Sequence, residues 1–169
     1  MASASPAFKR ARVHGMSEDR CPDCGAPVEG GRAGCQALWD EIALRAYSEP
    51  GYAATHDLAF DTYCMQHPER YCRSAKSYAA HLTRLCCGLE HEGKHKVYQA
   101  IQKSLSGAVQ IERPVAPSNV GKITVAALKA ARSVEEHAET VHAWANSVWQ
   151  AYAEQHELAR GWINTALSL

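Results

Sequence analysis

Net charge is absent from this sequence, 18 lysines and arginines balancing 18 aspartates and glutamates. That balance removes the electrostatic reason to expect nucleic acid or an anionic membrane surface as a partner. No apolar run approaches the roughly 20 residues that span a bilayer, so no membrane segment is expected. The first residues lack the apolar core of a signal peptide, which points to the cytoplasm. Branched residues never alternate over a useful length, so strands are not expected either. There is no internal repeat and no low-complexity tract. With 169 residues, the chain suffices for one domain that buries a core without disulfides.

Cysteine is what the sequence does have. Seven of them, an odd count, argue for metal binding or buried thiols rather than a disulfide framework in a reducing compartment. Residues 1–20 are small, polar and weakly basic (Lys9, Arg10, Arg12) and read as a disordered tail, with Met16 as an alternative start. Cys21-Pro22-Asp23-Cys24-Gly25 follows, with the two-residue spacing that turns two thiolates toward one ion. Cys35 comes next, past a Gly-rich stretch that cannot be helix or strand for long. A redox use of CxxC needs a strand before the motif and a helix starting at it, and neither is present. Residues 21–35 are therefore read as a knuckle holding Zn2+.

The rest reads as helices. The first runs from Cys35 to Ser48 on a stripe of Leu38, Trp39, Ile42 and Ala46. Ser48-Glu49-Pro50-Gly51 is a turn, and a second helix spans Tyr52 to His67, stopped by Pro68. Folding this hairpin about residues 49–50 sets Cys35 opposite residues 64–65. His67 is then the first choice for the fourth ligand beside Cys21, Cys24 and Cys35; Cys64 is the second, and His56 lies at the far end. A third helix starts at a Ser74 cap and weakens at Gly88, after the apolar fillers Cys86 and Cys87. A fourth covers residues 94–106 on Val97, Ile101 and Leu105, and residues 107–122, with two prolines, form a long crossover loop. A short helix over 124–132 precedes the capping box Ser133-Val134-Glu135-Glu136. The longest helix follows to about Leu167, with Val141, Trp144, Val148, Ala151, Leu158 and Trp162 as its inner seam.

Several histidines are candidates for chemistry. His56, Tyr63 and His67 share one stripe of the second helix, while Asp61 points away and is expected in solvent. His81 is expected near Phe60 and about one turn from His56, so that His56, Tyr63 and His81 are candidate catalytic residues, with His142 a fourth. The plain reading of His56 is a buried, hydrogen-bonded side chain. Ser77 with His81 lacks an orienting acid and an oxyanion site. His91-Glu92-Gly93-Lys94-His95 matches the zinc-hydrolase pattern in letters, but Gly93 disfavours a continuous helix between the ligands, so it reads as a polar join. His142, Trp149 and His156, with Arg160 below, form a second stripe that reads as the rim of a buried helix.

In combination, several motifs resemble an uncharacterised bacterial domain family of small cytosolic proteins. They are Cys-Pro-x-Cys-Gly, the Cys35 helix with Leu38-Trp39, His56-x-Leu58, Tyr63-x-x-Gln66-His67-Pro68, Ser74-x-Lys76-Ser77, His81-Leu82 and the late Trp-rich helix. The resemblance covers most of residues 21–165, and the chain departs from it at Asp61-Thr62-Tyr63-Cys64 and in the His-rich run near residue 91. It implies an architecture and no activity. The expected fold is all-α, a single domain over residues 21–169 with about five or six helices and an N-terminal zinc knuckle. Two function classes follow: a zinc-stabilised interaction or accessory protein whose partner is another protein or a small molecule, or a small metal- or histidine-dependent enzyme with its site inside the bundle.

Overall fold

Helices and the turns between them make up every regular element of residues 19–169, the residues described by the computed structural model. The expected tail lies outside the described residues as far as residue 18, Met16 included. Six helices have eleven residues or more: α1 (Gly31–Ser48), α3 (His56–Gln66), α5 (Ala75–Glu90), α6 (His95–Ser106), α7 (Val134–Ala151) and α8 (His156–Leu167). Two single turns, α2 (Pro50–Ala53) and α4 (Pro68–Tyr71), and a 3-10 segment (Val125–Ala130) complete the set of main elements. The all-α expectation holds.

The arrangement is centred on α3. It packs against α5 on one side and α7 on another, while α1 and α2 close a third. Every residue from Asp61 to Pro68 is buried, polar ones included. The α1–α3 hairpin runs antiparallel as expected: Trp39 stacks on Tyr63 with ring centroids 4.8 Å apart and lies 6.0 Å from His56. Two expected boundaries move. α1 begins four residues before Cys35, at Gly31, and the second helix is broken at Ala54-Thr55 into α2 and α3.

Gly88 does not weaken the third helix, and α5 continues to Glu90. A Cβ at that position would lie 2.7 Å from Leu58 Cδ1, so the missing side chain lets α5 approach α3. Both caps behave as read. Ser74 Oγ accepts from the Ser77 N–H at 3.0 Å, and Ser133 Oγ accepts from the Glu136 N–H at 3.1 Å. The Glu136 carboxylate takes the N–H of Arg132 at 2.8 Å, one residue before the usual capping-box position.

The long last helix is instead two. Tyr152 ends α7 and directs its hydroxyl to the Met65 carbonyl at 2.6 Å, and a 3-10 turn (Ala153–Gln155) leads into α8. The break rephases the seam. Val141, Trp144 and Val148 are buried as expected, but Leu158 is exposed, and Ala159, Ile163 and Ala166 take the inner face. The rim stripe breaks with it: His156 folds back to stack on Trp149, centroids 3.8 Å apart, and its Nε2–H donates to the Trp149 carbonyl at 2.8 Å. Arg160 pairs with Glu90 of α5 at 2.7 Å.

The crossover loop is pinned from beneath by one side chain. Gln66, fully buried, donates from Nε2 to the carbonyls of Val120 (3.1 Å) and Ile123 (2.8 Å) and accepts from Trp144 Nε1 at 2.8 Å. Arg113 ties the middle of the loop to the Cys72 carbonyl at 2.7 Å. Gln66→Ala should cost about 2–3 kcal/mol in urea unfolding, because it leaves buried polar groups unpaired. It should also raise amide exchange in residues 116–123 above that in α5.

His137 of α7 is buried edge-on to Tyr52, and burial, with Arg45 adding to it, holds its pKa below the ordinary 6.5. A depressed histidine stabilises the fold above pH 6.5 and loses that contribution as pH falls through the folded value. Wild type should therefore lose more stability than His137→Leu between neutral pH and pH 5. Parallel melting curves in acid would refute this.

Candidate metal centre

The knuckle is a tight reversal. The Cys21 N–H donates to the Ala26 carbonyl at 2.9 Å and the Gly25 N–H to the Cys21 carbonyl at 2.8 Å. Gly25 has φ of 75°, a left-handed conformation that brings both sulfurs to one side. Arg32 at the start of α1 grips Asp23 through two hydrogen bonds of 2.8 Å, fastening the knuckle to the helix that carries Cys35. From the other side of the hairpin, α3 ends at Gln66 with His67 as its C-cap, and Pro68 starts the next turn.

The knuckle, α1 and the end of α3 bring Cys21, Cys24, Cys35 and His67 together. All four are buried, and their ligand atoms lie within 4.8 Å of one another. Cys24 Sγ is 3.8 Å from Cys35 Sγ, and His67 Nε2 is 3.5 Å from Cys35 Sγ and 3.7 Å from Cys21 Sγ. A tetrahedral ion with bonds of about 2.3 Å to sulfur and 2.0–2.1 Å to nitrogen requires ligand separations of about 3.6–3.8 Å. The residues fit such an ion.

The surroundings fit it too. His67 Nδ1–H donates to the Tyr63 carbonyl at 2.7 Å, which leaves the lone pair of Nε2 facing the sulfurs. The Tyr63 hydroxyl donates to Cys35 Sγ at 3.8 Å. Without a cation, only one of the thiols can ionise readily. The Cys24 thiol hydrogen-bonds to Cys35 and, against burial, brings Cys35 down to about 4 with help from His67 and Tyr63. The same hydrogen bond and burial push Cys24 up, and burial raises Cys21. Three thiolates in this volume need a divalent cation to neutralise them, so loading the site releases protons. Burial and the neighbouring Cys35 charge also raise Tyr63, keeping its hydroxyl a donor.

The geometry separates the alternatives. Cys64, the second choice, is buried elsewhere, its carbonyl accepting from the Cys72 thiol. His56 lies at the far end, between Trp39 and Tyr47. Among the other three catalytic candidates, Tyr63 faces Cys35, His81 meets Phe60 edge-on as expected, and His142 is exposed beside a different cleft with Asp57 and Glu92. The Ser77 hydroxyl is committed to the Tyr71 carbonyl. His91 ends α5 and His95 opens α6, with Glu92 and Gly93 at positive φ between them, so this run is a join. The four thiols outside the centre, Cys64, Cys72, Cys86 and Cys87, are free and buried.

Asp61 corrects the sequence reading. It is fully buried, not solvated: its Oδ1 accepts from His81 Nδ1–H at 2.8 Å, and Oδ2 lies 3.1 Å from Arg84 Nε. Burial raises its pKa against the pull of His81 and Arg84. The helical wheel failed because α3 is enclosed on more than one side. A carboxylate between Phe60 and Thr62 in a mostly apolar stretch was the available signal, and the basic residues His81 and Arg84 on the next helix were its partners.

The chain belongs to the family of unknown function DUF5946. The family model matches residues 19–153, from the knuckle through the end of α7. The DUF5946 match thus contains all four residues of the centre together with Tyr63. Neither a curated protein nor a solved structure matches the chain.

Three substitutions test the ligand set by metal content per chain. His67→Ala should lower both bound metal and melting temperature, whereas His56→Ala and Cys64→Ser should retain full occupancy. Full occupancy in His67→Ala with loss in Cys64→Ser would overturn the assignment.

Proposed function

We propose that this is a zinc protein in which Cys21, Cys24, Cys35 and His67 hold Zn2+ as a structural ion, and that it serves as a cytoplasmic interaction or accessory protein. The carrying observation is the donor set: four buried side chains offer the four donors of a tetrahedral ion, and with all four bound no coordination position would remain for water or substrate. Three soft thiolates and one imidazole are the donors that select zinc over hard cations. When bound, the ion would neutralise the thiolates and cross-link the knuckle to α1 and α3, where little apolar core is available. Among the described residues no helix is long and apolar enough to cross a membrane, in keeping with this reading.

One observation favours the enzyme reading. His81 is oriented by a buried carboxylate, Asp61, as a general base is. His56, Tyr63 and His142 meet other partners, so this reading now rests on the Asp61–His81 pair.

Purified chain should carry one zinc ion, and cobalt substitution should give intense thiolate charge-transfer bands. Chelation should lower the melting temperature and speed amide exchange over residues 21–35 and the α1–α3 hairpin first. Unchanged melting after complete metal removal would exclude a structural role.

A further inference from the structure

Beside the metal centre the surface opens into a cleft of about 630 Å³, within the range of small-molecule sites. The knuckle forms one wall with Pro22 and Asp23, the turn after α3 forms the floor with His67 and Pro68, and Pro117 of the crossover loop forms the far wall. The far wall is fixed, since Gln66 holds the Val120 carbonyl from below. Arg32, Arg70 and Arg73 also line the cleft.

The charges there do not cancel. Asp23 is taken by Arg32, and Glu69 is taken by Arg113 at 2.9 Å. Arg70 and Arg73 are exposed, and among the described residues no carboxylate lies within ion-pair distance of either. Arg70 and Arg73 therefore line one concave space with no carboxylate in ion-pair contact, the Arg70 guanidinium lying 5.3 Å over the Tyr71 ring. A zinc-loaded centre would contribute one negative charge, buried on its sulfurs behind His67, and the cleft would stay cationic. Guanidinium groups bind phosphate oxygens through paired, charge-assisted hydrogen bonds. The prolines supply apolar walls beside them.

We propose that this cleft binds a small phosphomonoester, with Arg70 and Arg73 holding the phosphate dianion and Pro22, Pro68 and Pro117 lining the space for its organic part. The inference goes beyond the structural role of the metal and rests on it only for the knuckle wall, since Arg70, Arg73, Pro68 and Pro117 lie outside the knuckle. Zinc content measured on the same samples keeps the two separable, since phosphate binding with substoichiometric zinc would sink only the zinc reading.

The test is titration of the full-length chain with inorganic phosphate, phenyl phosphate and phenyl sulfate, followed by calorimetry and amide chemical shifts. Phenyl phosphate should bind saturably and more tightly than the other two, weakening as salt is raised. Arg70→Gln/Arg73→Gln should weaken it by about tenfold or more, the size expected for losing charge-assisted hydrogen bonds. Lys103→Gln, on the exposed face of α6, should leave it unchanged. Single arginine variants and melting curves guard against misfolding. No saturable binding, equal binding by the double variant, or an aspartate-rich peptide that binds the cleft and is not displaced by phenyl phosphate would each overturn the proposal.

Discussion

Three thiols and an imidazole share one buried volume at the meeting of knuckle, α1 and α3, and like charges cannot accumulate there unaided. That constraint governs the amino-terminal half. The knuckle offers only small apolar residues to the core, such as Ala26, and its backbone bonds close a loop rather than a helix or strand. What fastens it is side-chain chemistry: the sulfurs inside and the Arg32–Asp23 fork outside. The fork lies in solvent, where such pairs contribute little. A structural metal site of this donor set would contribute on the order of 10 kcal/mol, so with an ion bound the inner donors would decide whether this region is ordered.

Tyr63 links that centre to the bundle. Its carbonyl orients His67, its hydroxyl reaches Cys35, and its ring lies on Trp39. One residue thereby couples donor geometry to the packing of the α1–α3 hairpin. The opposite side of α3 carries the Asp61–His81–Arg84 cluster, and the carboxyl end of α3 carries Gln66. This central helix holds the polar interactions of the molecule on several faces at once, which is unusual for a segment so fully enclosed.

What could be read from the sequence depended on whether the cause was local. Ser74 and Ser133 act through residues three positions away, so their caps were visible. The choice of His67 over His56 needed only the length of a hairpin and the rise of a helix. Asp61 could not be placed in that way, because its burial is decided by α5, which approaches through the notch at Gly88. The division of the last helix was equally hidden. A continuous apolar period runs through residue 152, and the break reflects a tyrosine hydroxyl seeking a carbonyl 87 residues earlier.

Gln66 imposes an order of events on the growing chain. Its partners lie 54, 57 and 78 residues downstream, in the crossover loop and in α7. While the chain emerges from the ribosome, α1, α3 and α5 can associate, but this amide has nothing to bond except water. The loop follows and can be captured, yet the amide oxygen remains unpaired until Trp144 has been synthesised and α7 has docked. The central polar bond network therefore closes only once α7 has been made, later than every other described helix except α8.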